Sequence, residues 1–371
     1  MDSESDDNSK KTDERNTSAD STTISSNSEN APKPQSKSIK FDDFDCVIKE
    51  VYSDNIKEEI EKISSLIEEY NYIGMDTEFP GIVYNLVQIE NDFYYKTMKK
   101  NVDSLKLIQL GITLTNHKGE YPKKYKYHTW QFNFKFDKDK DKFSKESMEL
   151  LNQSGIDFDK LKNDGIDHSI FAELLMTSGL VLNPEVHWVS YQGSYDFGYL
   201  LKLLQNEKLP VKEDEFINYL ALYFPNFYDL RVLLKNDKNY FQGGLSKLLY
   251  LLGIERKGTM HQAGSDAIAT IDSFHKSTSL KLINSKKILL LKNILYGIGK
   301  GKDNLNTINY INNNKKNENA TSSPVYYHNM IQNQIYRNIN RNYIAASLMY
   351  MNSMRFMNYI VNQRKTINVA F

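Results

Sequence analysis

The spacing of apolar positions divides the chain into elements before any other property is considered. Ile60, Ile63, Leu66 and Ile67 share one face of a helix predicted over residues 56–70, with charged residues opposite. Residues 72–75 read as a short apolar strand. A second strand is predicted over 107–114, where Ile108, Leu110, Ile112 and Leu114 alternate with Gln109, Gly111 and Thr113. The clearest is the third, where Trp130, Phe132, Phe134 and Phe136 alternate with Gln131, Asn133 and Lys135. Further along, 171–177, 197–204, 245–252 and 267–275 read as helices, and 186–191 as a strand. Three strands followed by strand–helix alternation predict an α/β fold, a mixed sheet flanked by α-helices.

Composition sets the limits of that body. Residues 1–40 are rich in Ser, Asp, Asn and Lys and nearly free of large apolar side chains, so they are expected to be disordered. Residues 41–301 form the expected domain. Residues 302–371 are an Asn-rich, low-complexity tail, expected to be disordered or partly helical. The chain is neutral, with 47 basic and 47 acidic residues, but the tail holds eight basic and two acidic, a net charge of +6. Such a tail is expected to be solvated, with contact to a polyanion as the alternative. The one cysteine, Cys46, allows neither an intrachain disulfide nor a cysteine-built zinc site. It fits a reducing compartment, and a cytoplasmic and nuclear location is expected. The acidic N-terminus lacks an apolar signal core, and the most apolar stretch, 344–360, is broken by Ser347, Asn352, Ser353, Arg355 and Asn358. No membrane contact is expected.

Three segments carry chemistry. In YIGMDTEFPG (72–81) a strand ends in Asp76 and Glu78, which are two residues apart and so project from one face. Alone, these could be two solvated acids at a strand end. In VHWVSYQGSYDFGYLLKLL (186–204) a Gly-Ser turn places Asp196 at the start of a helix, where an acid also suits the helix dipole. In HQAGSDAIATIDSF (261–274), His261 and Asp266 are five apart, about 140° around one helix. Gly264 and the N-cap former Ser265 instead suggest a helix starting near Ser265, with His261 on a loop free to swing over the site. Together, four carboxylates and a histidine at element ends match a two-metal phosphodiester hydrolase. Oxygen ligands suit Mg²⁺ or Mn²⁺ rather than zinc.

The order Asp-x-Glu, Asp, His-x4-Asp resembles the histidine-bearing DEDD exonucleases. MDTEFPG (75–81), NVDSLKLIQLG (101–111), TWQFNFKF (129–136), FAELLMTSG (171–179), YDFGYL (195–200), HQAGSD (261–266) and LYGIGKG (295–301) narrow the resemblance to the CCR-associated-factor deadenylases, catalytic subunits of the CCR–NOT complex. That resemblance spans about residues 45–301. It implies an RNase H-like sheet whose first three strands are antiparallel, and 3′→5′ shortening of mRNA poly(A) tails with release of 5′-AMP. It also implies two divalent ions, one on Asp76, Glu78 and Asp266 and the other on Asp76 and Asp196, with His261 as general base. Implied partners are single-stranded RNA, the NOT scaffold, a second deadenylase subunit and anti-proliferative adaptors. The chain departs from the family pattern at 191–194, where members commonly carry a histidine, at 84–92, and at Gln242, which replaces a basic residue. A DEDD exonuclease acting on other single strands, and a nuclease-like scaffold, are the alternatives.

Overall fold

The apolar runs become six strands: β1 (Ile48–Val51), β2 (Tyr72–Glu78), β3 (Gln109–Thr115), β4 (Thr129–Asn133), β5 (His187–Ser190) and β6 (Phe227–Asp229). They are seen in a computed structural model that describes residues 47–86, 92–241 and 243–299. The described helices are α1 (Ile56–Ser64), α2 (Phe93–Ser104), α3 (Lys145–Gln153), α4 (Phe158–Asp164), α5 (His168–Thr177) and α6 (Ser194–Gln205). They continue with α7 (Glu213–Tyr223), α8 (Leu230–Leu233), α9 (Lys238–Phe241), α10 (Leu245–Leu252), α11 (Ala263–Ser279) and α12 (Ser285–Leu291). The expectations for residues 1–40 and 302–371, and the substitution at Gln242, lie outside the described residues. Among the described residues no helix is long and apolar enough to cross a membrane.

The strands form one mixed sheet in the order β1-β4-β3-β2-β5-β6. β2, β3 and β4 pair antiparallel, while β5 and β6 join parallel to β2, the RNase H-like arrangement that was expected. β1 is an addition, pairing parallel with β4 at the sheet edge. Its four residues, IKEV, are too short and too charged to stand out by period. The predicted helix at 56–70 ends earlier, at Ser64, and its remainder forms turns.

Alternation in β3 and β4 does not mark a solvent face, because every residue of both strands is buried. One face carries Ile73, Met75, Leu110, Ile112, Trp130 and Phe132, which merge with Phe171, Phe197 and Leu200 of α5 and α6 into the main core. On the other face α11 lies across β2 and β3. Its approach depends on two glycines. A Cβ on Gly111 would stand 1.9 Å from the Ala263 carbonyl oxygen, and one on Gly74 would stand 2.5 Å from that of Ala267. Any side chain there would push the helix off the sheet.

Candidate active site

β2 is the axis of the site. Its alternation points Asp76 and Glu78 toward the α11 side and Thr77 toward the α6 side. Gly111 is the cross-strand partner of Asp76, so the position that lets α11 approach is also the one beside the first carboxylate.

α11 starts at Ala263, two residues before the predicted Ser265, with Gln262 as its N-cap. The early start is supported by the sheet. Gln109 Oε1 accepts the Ala263 amide at 3.3 Å, and Gln131 Oε1 accepts that of Gly264 at 2.8 Å. Strand side chains thus satisfy amides that the helix itself leaves open. Gln109 and Gln131 both donate to Gln262 Oε1, at 3.1 and 2.8 Å. Glu50 of β1 closes the set, accepting from Gln131 at 2.8 Å and from Asn133 at 2.6 Å. This network, buried at Gln109, Gln131 and Asn133 and reaching the surface at Glu50, fixes the start of α11 and with it Asp266. Ser265, read from sequence as the N-cap, is instead fully buried and donates to the Lys257 carbonyl at 2.7 Å.

The main chain of His261 is fixed in the turn before α11. It has φ +62°, in the left-handed region, its amide donates to Asp266 Oδ2 at 3.0 Å, and its carbonyl accepts from Ser154 Oγ at 3.0 Å. Ligand atoms of Glu78, His261 and Asp266 all lie within 4.8 Å of one another.

Asp196 arrives from the opposite layer. It is in the first turn of α6, is 7% exposed, and accepts the Thr77 hydroxyl at 2.5 Å. The turn before α6 is set by Asp229, fully buried at the end of β6. Its carboxylate accepts the amides of Gln192 (2.9 Å), Gly193 (3.3 Å), Arg231 (2.9 Å) and Tyr296 (3.0 Å). Gln192 takes φ +60° in that turn.

The four carboxylates share one electrostatic field. Burial pushes Asp76 well above the usual carboxylate range, with further upward pressure from Asp266, Asp196 and Glu78 and relief from Arg256. Burial, then Asp266 and Asp196, push Glu78 up to about 8. Asp196 is pushed up to about 6 by burial, restrained by the Thr77 hydroxyl and backbone amides. Both Asp76 and Glu78 are half-buried, so a small ion could still reach them. Such a set is stable when ionised only if cations sit among the oxygens, and oxygen donors in this number fit a hard divalent ion.

Sequence reasoning missed the cation already present. Arg256 forms an ion pair with Asp266 and also reaches Ser246 Oγ and Ser265 Oγ. It lies on the segment following Gly253, the left-handed C-cap of α10, and no motif or period marks it. Thr77 was hidden within Asp-x-Glu. The Gln109–Gln131–Gln262 network was hidden within motifs read for their apolar positions.

Comparison with known proteins places the chain in a family. Residues 51–174 match the model of the CAF1 family ribonucleases. The chain is 44% identical over 269 residues to the Arabidopsis thaliana "Probable CCR4-associated factor 1 homolog 7", covering 71% of this chain and 97% of that protein. It is 43% identical over 255 residues to the Schizosaccharomyces pombe "Poly(A) ribonuclease pop2", covering 68% of this chain and 75% of the relative. Among solved structures, S. pombe Pop2p in its Mg²⁺- and Mn²⁺-bound form superposes with TM-score 0.64 at 42% identity, covering 68% of this chain and 99% of Pop2p. The structure of a yeast NOT1 MIF4G domain co-crystallised with CAF1 matches with TM-score 0.59 at 31% identity, over 72% of this chain and 100% of the matched chain. The chain belongs to the CAF1 family of ribonucleases.

Proposed function

We propose that this protein is a 3′→5′ exoribonuclease that shortens mRNA poly(A) tails to 5′-AMP, with Asp76, Glu78, Asp196 and Asp266 holding two divalent cations, Mg²⁺ or Mn²⁺. The observation that carries the reading is the convergence of four carboxylates, two of them half-buried and two buried, from both sides of one strand end. Bound among these oxygens, the ions would activate water and stabilise the leaving 3′ oxygen. Asp76 is pressed by the other three carboxylates, which suits it to be the ligand shared between both positions. Thr77 donates to Asp196 and fixes that carboxylate beside β2. His261, held over Glu78 and Asp266, would take the proton of the attacking water on its imidazole.

Poly(A) as substrate is supported by the name of the S. pombe relative, and membership of the CCR–NOT complex by the yeast CAF1 crystallised with NOT1. A second deadenylase subunit, the anti-proliferative adaptors and a cytoplasmic and nuclear location belong to the same proposal. A pull-down with a NOT1 MIF4G domain tests the scaffold contact, and loss of capture would remove it.

The activity itself is tested by incubating the protein with poly(A), poly(U) and single-stranded DNA, with Mg²⁺ or with chelator. Mg²⁺-dependent AMP release, fastest on poly(A), is expected, and Asp196→Asn should lower it by about a hundredfold to a thousandfold, the loss for a transition-state stabilising group. Equal rates on all three polymers would exclude the deadenylase reading. Because His261 is left-handed, His261→Asn is the variant that removes the base without straining the backbone. Its rate at neutral pH should fall well below that of the wild type, and an unchanged rate would remove the base assignment.

A further inference from the structure

The approach to His261 is asymmetric in charge. On one flank, α3 ends at Ser154, whose hydroxyl holds the His261 carbonyl, and this helix exposes Glu146 and Glu149. On the other flank stand α10 and the segment after it, with Lys247, Arg256 and Lys257. A polyanion must overcome the field of the carboxylates, and the second flank carries the larger excess of positive charge, three cations against Glu255, where α3 sets Lys145 against two acids.

That flank is tied to the catalytic group by direct contacts. Ser246, in the first turn of α10, accepts from Arg256 at 3.2 Å, and its hydroxyl donates to Met260 Sδ at 3.2 Å. Arg256 in turn pairs with Asp266, and Met260 immediately precedes His261. Tyr250 lies four residues after Ser246, on the same face of the helix and one turn, about 5–6 Å, further out. Its side chain is 77% exposed, and the Lys247 ammonium sits 5.0 Å from the ring centroid. Met260, in contact with the Ser246 hydroxyl, is 46% exposed. The inward face of α10 is fully used by Leu248, Leu249 and Leu252, so Tyr250 adds nothing to the core.

We infer that Tyr250, Lys247 and Met260 form a platform for the single-stranded RNA segment upstream of the scissile nucleotide. Tyr250 stacks on a base and Lys247 meets the adjoining phosphate. An exposed aromatic ring with a cation beside it is the pair that single strands use without regard to base identity. The platform rests on the exoribonuclease reading above for its register with the active site, but its binding role can be measured separately.

The test is fluorescence anisotropy of the full-length chain with a labelled twenty-nucleotide oligo(A) in EDTA, alongside AMP release in Mg²⁺. Tyr250→Ala and Tyr250→Leu should each weaken binding about tenfold, within the range for loss of one stacked base. Tyr250→Phe should restore it, because the ring and not the hydroxyl makes the contact. Lys247→Ala should reduce the salt slope of binding by about one unit, the signature of one lost phosphate contact. Binding by Tyr250→Leu within twofold of wild type overturns the platform, as does failure of the wild type to bind the oligonucleotide. AMP release without any dependence of binding on Tyr250 would sink the platform and leave the nuclease standing. Tyr250-dependent binding without AMP release would do the reverse.

Discussion

Asp76 and Glu78 hold protons that an unfolded chain would release, and a cation competes for the same oxygens. Their folded pKa values lie above the ordinary range, as does that of Asp196. Between the unfolded value near 4 and the folded value of about 8 for Glu78, the folded state binds more protons than the unfolded state. Metal-free stability therefore falls as pH rises through that window. Mg²⁺ removes the repulsion and need not displace protons at the upper end. The gain in Tm on adding Mg²⁺ should thus be larger at pH 8 than at pH 6, by several °C for a domain this size. Differential scanning fluorimetry at both pH values checks this, and an equal gain would contradict the shared field. At this scale the sequence was legible only in part. The carboxylates and His261 could be named because their spacing puts them at element ends. Arg256 could not, because its importance comes from the fold of the segment around it, and neither could the left-handed backbone of His261, which has no local signal.

Elements were most legible where period and burial agree, as in α10, whose bounds match the predicted 245–252. They were least legible where polar side chains are buried. Gln109, Gln131 and Asn133 alternate with apolar neighbours as if facing water, yet they are 2%, 3% and 1% exposed beneath the start of α11. Period alone cannot separate a solvated face from one that caps a helix. Nor could it find α2, where the buried set includes the polar Asn101. The same arrangement makes α11 sensitive to the sheet below it. Gly111→Ala should destabilise the protein by about 3 kcal/mol or more, the upper range for overpacking, because the Cβ meets backbone and not a movable side chain. It should also lower AMP release beyond what the loss of folded protein explains, since Asp266 moves with the helix. Urea denaturation and specific activity of the folded fraction measure the two effects, and a wild-type midpoint would show that α11 can shift without strain.

For the molecule as a whole, we propose that residues 41–301 are the complete catalytic domain. A 41–301 fragment should show the same KM and kcat on oligo(A) as the full chain, and the same dependence of KM on salt. A shallower salt slope for the fragment would mean that the +6 tail contacts RNA. The sheet also has a kinetic consequence. Asp196 is fixed to the layer of α6, and Asp266 to the layer of α11 on the opposite face, with β2 between them. Two ions sharing Asp76, one also on Asp266 and the other also on Asp196, would together act as a non-covalent cross-link through the sheet end. Opening either layer would then require release of its ion first, so hydrogen exchange at the starts of α6 and α11 would slow together on metal loading. The enzyme would be most vulnerable to proteolysis when it is between metal ions, so that chelation would shorten its lifetime as well as stop its chemistry.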